Sequence, residues 1–125
     1  MLTELFNSRP RRVLIVDRSD DSRAVLRTAL ERRGVEILEA TQAKQGVELA
    51  RRHQPGVIVV DVESTGADDA ELRGELRNGS PSSPTPLVLL GSTSRRSAPA
   101  IGESCVPKPF HYAPLIRRIE ELLEG

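Results

Sequence analysis

The sequence predicts an α/β domain: a parallel, doubly wound sheet of five strands with helices on both faces. Three observations predict it. Val13-Leu14-Ile15-Val16 and Val57-Ile58-Val59-Val60 are short, unbroken apolar runs rich in β-branched residues, as suits strands buried on both faces. Each run is closed by a carboxylate, Asp17 and Asp61. Strand-like runs also alternate with helix-like stretches along the whole chain, which requires right-handed crossovers between parallel strands. The two richest runs should be central. Open α/β sheets place ligands at the carboxyl ends of their strands, so Asp17 and Asp61 should meet at one edge, with Lys108 arriving from the loop after strand five.

Residues 1–11 read as an extension and 12–125 as the folded domain. Leu2, Leu5 and Phe6 could share one face of a short turn, but a frayed tail is the plainer reading. The strand ending at Asp17 comes first. Ser19 or Asp20 can cap the helix that follows, Leu26, Ala29 and Leu30 share its inner face, and Gly34 stops it. Residues 35–40 form the second strand. Thr41 is expected to cap a second helix, with Ala43, Gly46, Val47 and Ala50 inward. Arg51, Arg52 and His53 then complement that helix's negative end.

The strand closed by Asp61 leads into 63–66, read as a loop. Residues 67–77 form a weaker, polar helix with Leu72 and Leu76 inward, and the Pro- and Ser-rich stretch 78–86 can only be loop. Strand four is Leu87–Leu90. Residues 92–102 contain Pro99 and no apolar stripe, so at most a turn of helix is expected there. Residues 104–106 form a short fifth strand. The last helix, 112–123, carries Leu115, Ile116, Ile119, Leu122 and Leu123 at core spacing.

Composition excludes several function classes. The chain has 18 basic and 18 acidic residues, so net charge makes no case for nucleic acid or an anionic membrane. One cysteine, Cys105, precludes an intrachain disulfide and points to a reducing, cytoplasmic setting. No apolar run approaches membrane-spanning length. The bases are nearly all arginine, and Lys44 and Lys108 are the two lysines. His53 and His111 read as helix-end residues, and Cys105 as a small core residue.

Four blocks in order, Val-Leu-Ile-Val-Asp17 with Asp20-Asp21-Ser22-Arg23, Val-Ile-Val-Val-Asp61, Pro-Leu-Val-Leu-Leu90 and Val-Pro-Lys108-Pro-Phe110, resemble the response regulator receiver domains of two-component signalling. The resemblance implies a flavodoxin-like (βα)5 fold with strand order 2-1-3-4-5, and a phosphoacceptor at Asp61. It further implies Mg²⁺ held by carboxylates including Asp17 and Asp61, a phosphoryl contact from Lys108, and a cis peptide before Pro109. The implied partners are a histidine kinase or phosphotransfer protein, or another signalling protein, with the domain a monomer or weak dimer. Enzymatic activity would go no further than self-phosphorylation and dephosphorylation.

Three positions depart from the family pattern. Arg18 stands where a second acidic metal ligand is usual. Opposed unit charges ~4 Å apart interact by roughly 4 kcal/mol at an effective dielectric near 20, so an inward Arg18 would weaken Mg²⁺ binding. Arg18 is expected inward, paired with Asp61 or Glu63, with an outward pose as the alternative; Glu63 is a candidate replacement ligand. Asp17 and Asp61 could equally form a resting ion cluster with Lys108 and Arg18. Gly91 replaces the hydroxyl residue that switches on phosphorylation, and Cys105 an aromatic that follows it. Relative to the family, the stretch from Gly91 to Lys108 is short by about five residues, some one and a half helical turns, so the helix between strands four and five should be reduced. The alternatives are a phosphorylation-independent pseudo-receiver that binds a partner and, more distantly, a nucleotide- or flavin-binding protein. The latter lacks a phosphate-cradling loop after any strand.

Overall fold

Alternating side chains on central strands must find two separate apolar layers, and they do. The computed structural model describes residues 11–78, 84–92 and 98–125. Five parallel strands, β1 (Arg12–Val16), β2 (Glu36–Ala40), β3 (Val57–Asp61), β4 (Leu87–Leu90) and β5 (Glu103–Val106), lie in the order β2-β1-β3-β4-β5. The helices are α1 (Asp20–Glu31), α2 (Ala43–His53), α3 (Val62–Thr65), α4 (Ala70–Arg77) and α5 (Tyr112–Glu124). On one face Leu14, Val16, Ile58, Val60, Leu87 and Leu89 pack against Ala43, Val47 and Ala50 of α2 and Leu76 of α4. On the other, Val13, Ile15, Val57, Val59, Val88 and Leu90 meet Leu26 and Leu30 of α1 and Leu115, Ile116 and Ile119 of α5. Successive strand residues thus serve opposite cores. None of the helices is long and apolar enough to cross a membrane, among the described residues.

The local signals mostly act as the sequence suggests. Ser19 caps α1, its Oγ accepting the Ser22 N–H at 3.2 Å. Gly46 lets α2 approach the sheet closely, since a Cβ there would lie 3.0 Å from Val16 Cγ2. Thr41 does not cap α2. Gln42 holds that place without a side-chain bond, and Gln45 reaches back to accept the Thr41 N–H at 3.0 Å. Residues 62–65 form a helical turn rather than a loop, and the next helix begins at Ala70, capped by Asp69. The extension 1–10 and part of the loop at 79–83 lie outside the described residues. So do 93–97, half of the stretch where a reduced helix was expected; 98–102 hold a turn and no helix.

An ionic cluster stands at that stretch. Arg73 of α4 is 1% exposed, and its Nε lies 3.0 Å from Glu103 Oε1, whose side chain is equally buried. Arg77 Nε lies 3.1 Å from Glu103 Oε2. Arg73 also donates to the carbonyls of Ala67 at 3.0 Å and Ala98 at 3.3 Å, and the Ala100 N–H donates to Glu103 Oε1. The cluster therefore ties α4, the segment from Ala98 and the start of β5 together. The apolar stripe of Leu72 and Leu76 concealed it, because a buried arginine has no periodic signature. Removing one partner of a buried pair strands the other charge, at a cost of about 3–5 kcal/mol, whereas an apolar replacement of both is often near neutral. Glu103→Ala should therefore lose roughly 3–5 kcal/mol in urea unfolding, and the Arg73→Met, Glu103→Leu pair distinctly less.

Candidate functional site

Parallel register places the acids. Val16 pairs with Val60, so Asp17 and Asp61 leave adjacent central strands side by side. Asp61 is 3% exposed. A carboxylate at that depth needs a counter-charge, and the Lys108 ammonium supplies it, 2.5 Å from Asp61 Oδ1. Lys108 is held there by the loop after β5, whose Lys108–Pro109 peptide is cis. Downstream, Phe110 and Tyr112 stack edge to face at 5.3 Å and lean on the core beside α5. The carboxylate of Asp61, with that of Glu63 beyond it, raises the Lys108 pKa despite partial burial, so it stays cationic.

The other Asp61 oxygen is also engaged. Ser64, on the α3 turn, donates from Oγ to Asp61 Oδ2 at 2.5 Å, and Thr65 Oγ1 donates to the Asp61 carbonyl at 2.6 Å. Sequence reasoning missed Ser64 because it read 63–66 as loop. A hydroxyl three residues after a carboxylate, on a helical turn, is the signal that would have found it. Asp17 accepts the Ser19 N–H at 2.9 Å through Oδ1. Burial, then the Asp61 charge beside it, pushes the Asp17 carboxyl above the usual range; the Ser19 bond and Lys108 oppose this. Arg23 braces the β1–α1 turn by donating to the Asp17 carbonyl at 2.5 Å and to Glu39 at 3.1 Å.

The three altered positions behave differently from one another. Arg18 is exposed and pairs with neither Asp61 nor Glu63, against expectation; Lys108 has already taken the counter-ion place, and Arg18 stays in water at the rim. No ion cluster through Arg18 forms, and Asp17 makes no ion pair among the described residues. Cys105 is exposed rather than in the core, because β5 is the edge strand of the sheet and is covered by a neighbouring strand on one side only. Its Sγ donates to the Gly91 carbonyl at 3.1 Å. Gly91 is buried at φ +103°, a backbone conformation that favours glycine. Against it lies Glu63, whose Oε1 is 3.3 Å from Lys108 Nζ. His53 ends α2 and His111 precedes α5, both as helix-end residues.

Mg²⁺ demands near-octahedral oxygens at about 2.0–2.1 Å. Asp61 has one oxygen on Lys108 and one on Ser64, and Glu63 is drawn toward Lys108 and Ser92. No group of three His, Cys, Asp or Glu side chains converges to hold a metal, among the described residues. The donors as arranged do not fit the ion. Beside them opens a cleft of about 840 Å³, floored by Asp17, Asp61 and Lys108 and walled by Ile15, Leu26 and Phe110.

The family model for the response regulator receiver domain matches residues 13–120. Protein PilH of Pseudomonas aeruginosa is 26% identical over 119 residues, which cover 91% of this chain and 98% of PilH. The transcriptional regulatory protein PdtaR of Mycobacterium tuberculosis is 32% identical over 117 residues, 89% of this chain but 56% of PdtaR. The chain thus spans about half of that regulator's length. The receiver domain of the hybrid histidine kinase CckA superposes with a TM-score of 0.72 at 24% identity, covering 90% of this chain and 98% of that one.

The raised Asp17 pKa carries a sign. The folded state binds the Asp17 proton more tightly than the unfolded chain, so the ionised group destabilises at neutral pH and that penalty fades as pH falls through its folded pKa toward 3.8. Asp17→Asn should therefore stabilise the protein at pH 7 in metal-free buffer. In urea melts repeated at successively lower pH, the gain should shrink.

Proposed function

The chain belongs to the response regulator receiver domain family of two-component signalling, and we propose that Asp61 is its phosphoacceptor. The observation that carries this reading is the buried Asp61 carboxylate, 3% exposed, held against Lys108 at the carboxyl edge of the sheet. In the step proposed, an Asp61 oxygen attacks the donor's phosphorus. The new O–P bond forms as the bond to the leaving group breaks, and the leaving group keeps its electron pair. The product is an acyl phosphate, whose charge Lys108 offsets as a point cation. A histidine kinase or phosphotransfer protein supplies the phosphoryl group, and the domain itself is a cytoplasmic monomer or weak dimer with no direct nucleic-acid or membrane contact.

Mg²⁺ binding is weak in this proposal, because Arg18 replaces a ligand and both Asp61 oxygens already have partners. A second reading, a phosphorylation-independent binding module, is favoured by Gly91, which has no hydroxyl to follow the phosphoryl group. A partner would then use α5 and the loop that precedes β5.

Intact-mass measurement after a small-molecule phosphodonor with Mg²⁺ tests the first reading. Wild type should gain one phosphoryl group and Asp61→Asn none; an unmodified wild type would favour the binding module. Calorimetry should find Mg²⁺ affinity well below that of ordinary receivers, and Arg18→Asp should raise it markedly, since it restores a ligand and removes a cation.

A further inference from the structure

Glu63 is not arranged as a metal ligand. Its Oε1 lies 3.3 Å from Lys108 Nζ, the same ammonium that neutralises Asp61. Its Oε2 receives the Ser92 N–H at 3.5 Å, a long contact. These are a cation and a backbone donor at the mouth of the acidic edge, where an anion bound to Asp61 would have to find its counter-charges. A carboxylate of the chain's own is already there.

The backbone beneath is shaped to admit it. A Cβ on residue 91 would fall 3.0 Å from both Cδ and Oε2 of Glu63, and the φ of +103° suits glycine. Any side chain at that position would force the Glu63 carboxylate to shift by a few tenths of an ångström or more. The absence of a hydroxyl at Gly91 and the position of Glu63 are therefore two sides of one arrangement. The Lys108 and Glu63 side chains are 41% and 51% exposed, so their contact is weak, screened by salt and able to open.

We propose that Glu63 is a tethered competitor for the phosphoryl site, holding Lys108 and Ser92 in the unphosphorylated protein, with Gly91 as the residue that makes room for it. This deepens, and rests on, the assignment of Asp61 as phosphoacceptor. Phosphorylation must displace Glu63, so the reactive form is a fraction of the population and the apparent rate is reduced by that fraction. Glu63 is then a positioning residue acting through Lys108.

The test separates reach from charge. Glu63→Asp keeps the charge but is one methylene shorter, and Glu63→Ala loses both. Gly91→Ala changes no charge and displaces Glu63 by contact. Two readouts are taken on each folded variant: the initial rate of phosphorylation by a small-molecule phosphodonor, and acetylation of Lys108 by an amine-reactive ester, with Lys44 as internal reference. All three variants should speed phosphorylation by up to roughly fivefold, as the weakness of an exposed ion pair sets, and raise Lys108 labelling relative to Lys44. Gly91→Ala should add nothing once Glu63 is Ala. Should Glu63→Asp behave as wild type while Glu63→Ala is fast, general charge repulsion would account for the effect and the proposal would fall. Unchanged Lys108 labelling in all variants would overturn it outright. Raised labelling without phosphorylation of any variant would retain Glu63 as the occupant of the site and overturn the Asp61 assignment instead.

Discussion

The Asp61 carboxylate, 3% exposed at the carboxyl edge of the sheet, lies against the Lys108 ammonium 2.5 Å away. Much of the architecture serves that contact. The register of β1 on β3 brings Asp17 alongside, which raises the need for positive charge. Apolar anchors on α5, with Phe110 and Tyr112 packed against the same core, fix the loop that delivers Lys108. The same ammonium then faces Glu63, so one cation is shared by two carboxylates of unequal burial. Among the described residues the buried one has no other partner of opposite charge, whereas the exposed one has water.

A second buried charge system stands on the other side of the sheet. Arg73, Glu103 and Arg77 occupy the region where an apolar helix face was missing from the sequence. An ionic cluster constrains geometry differently from an apolar helix. A hydrophobic face tolerates sliding, but displacing Glu103 by an ångström would leave a desolvated charge short of its partner. The start of β5, and through it the path to Lys108, is thereby held in one place. Cys105 on the same strand joins to the Gly91 carbonyl, linking this edge to the backbone beneath Glu63.

Much of this was legible in the sequence, for identifiable reasons. The runs ending at Asp17 and Asp61 announce buried parallel strands, and five alternating units leave few topologies. Asp17, Asp61 and Lys108 follow from lying just past strand ends. What escaped depends on side-chain direction and on which of several partners wins. Arg18 was expected to enter the site, but Lys108, arriving from a loop already anchored by core residues, meets Asp61 without Arg18. Cys105 reads as a core residue by type, yet edge position exposes it. Ser64 was hidden because a single helical turn has no periodicity to detect. Arg73 was hidden because nothing in a polar helix marks which arginine will find a buried carboxylate 30 positions later.

Asp61 is the proposed acceptor of the phosphoryl group, and its carboxylate can be tested for that role directly. An acyl phosphate is reduced by borohydride to an alcohol, converting the modified aspartate to homoserine, which peptide mass spectrometry then locates. After treatment with a phosphodonor and reduction, homoserine should appear at position 61 and nowhere else. Homoserine at position 17, or at none of the carboxylates although the protein had gained a phosphoryl group, would contradict the account.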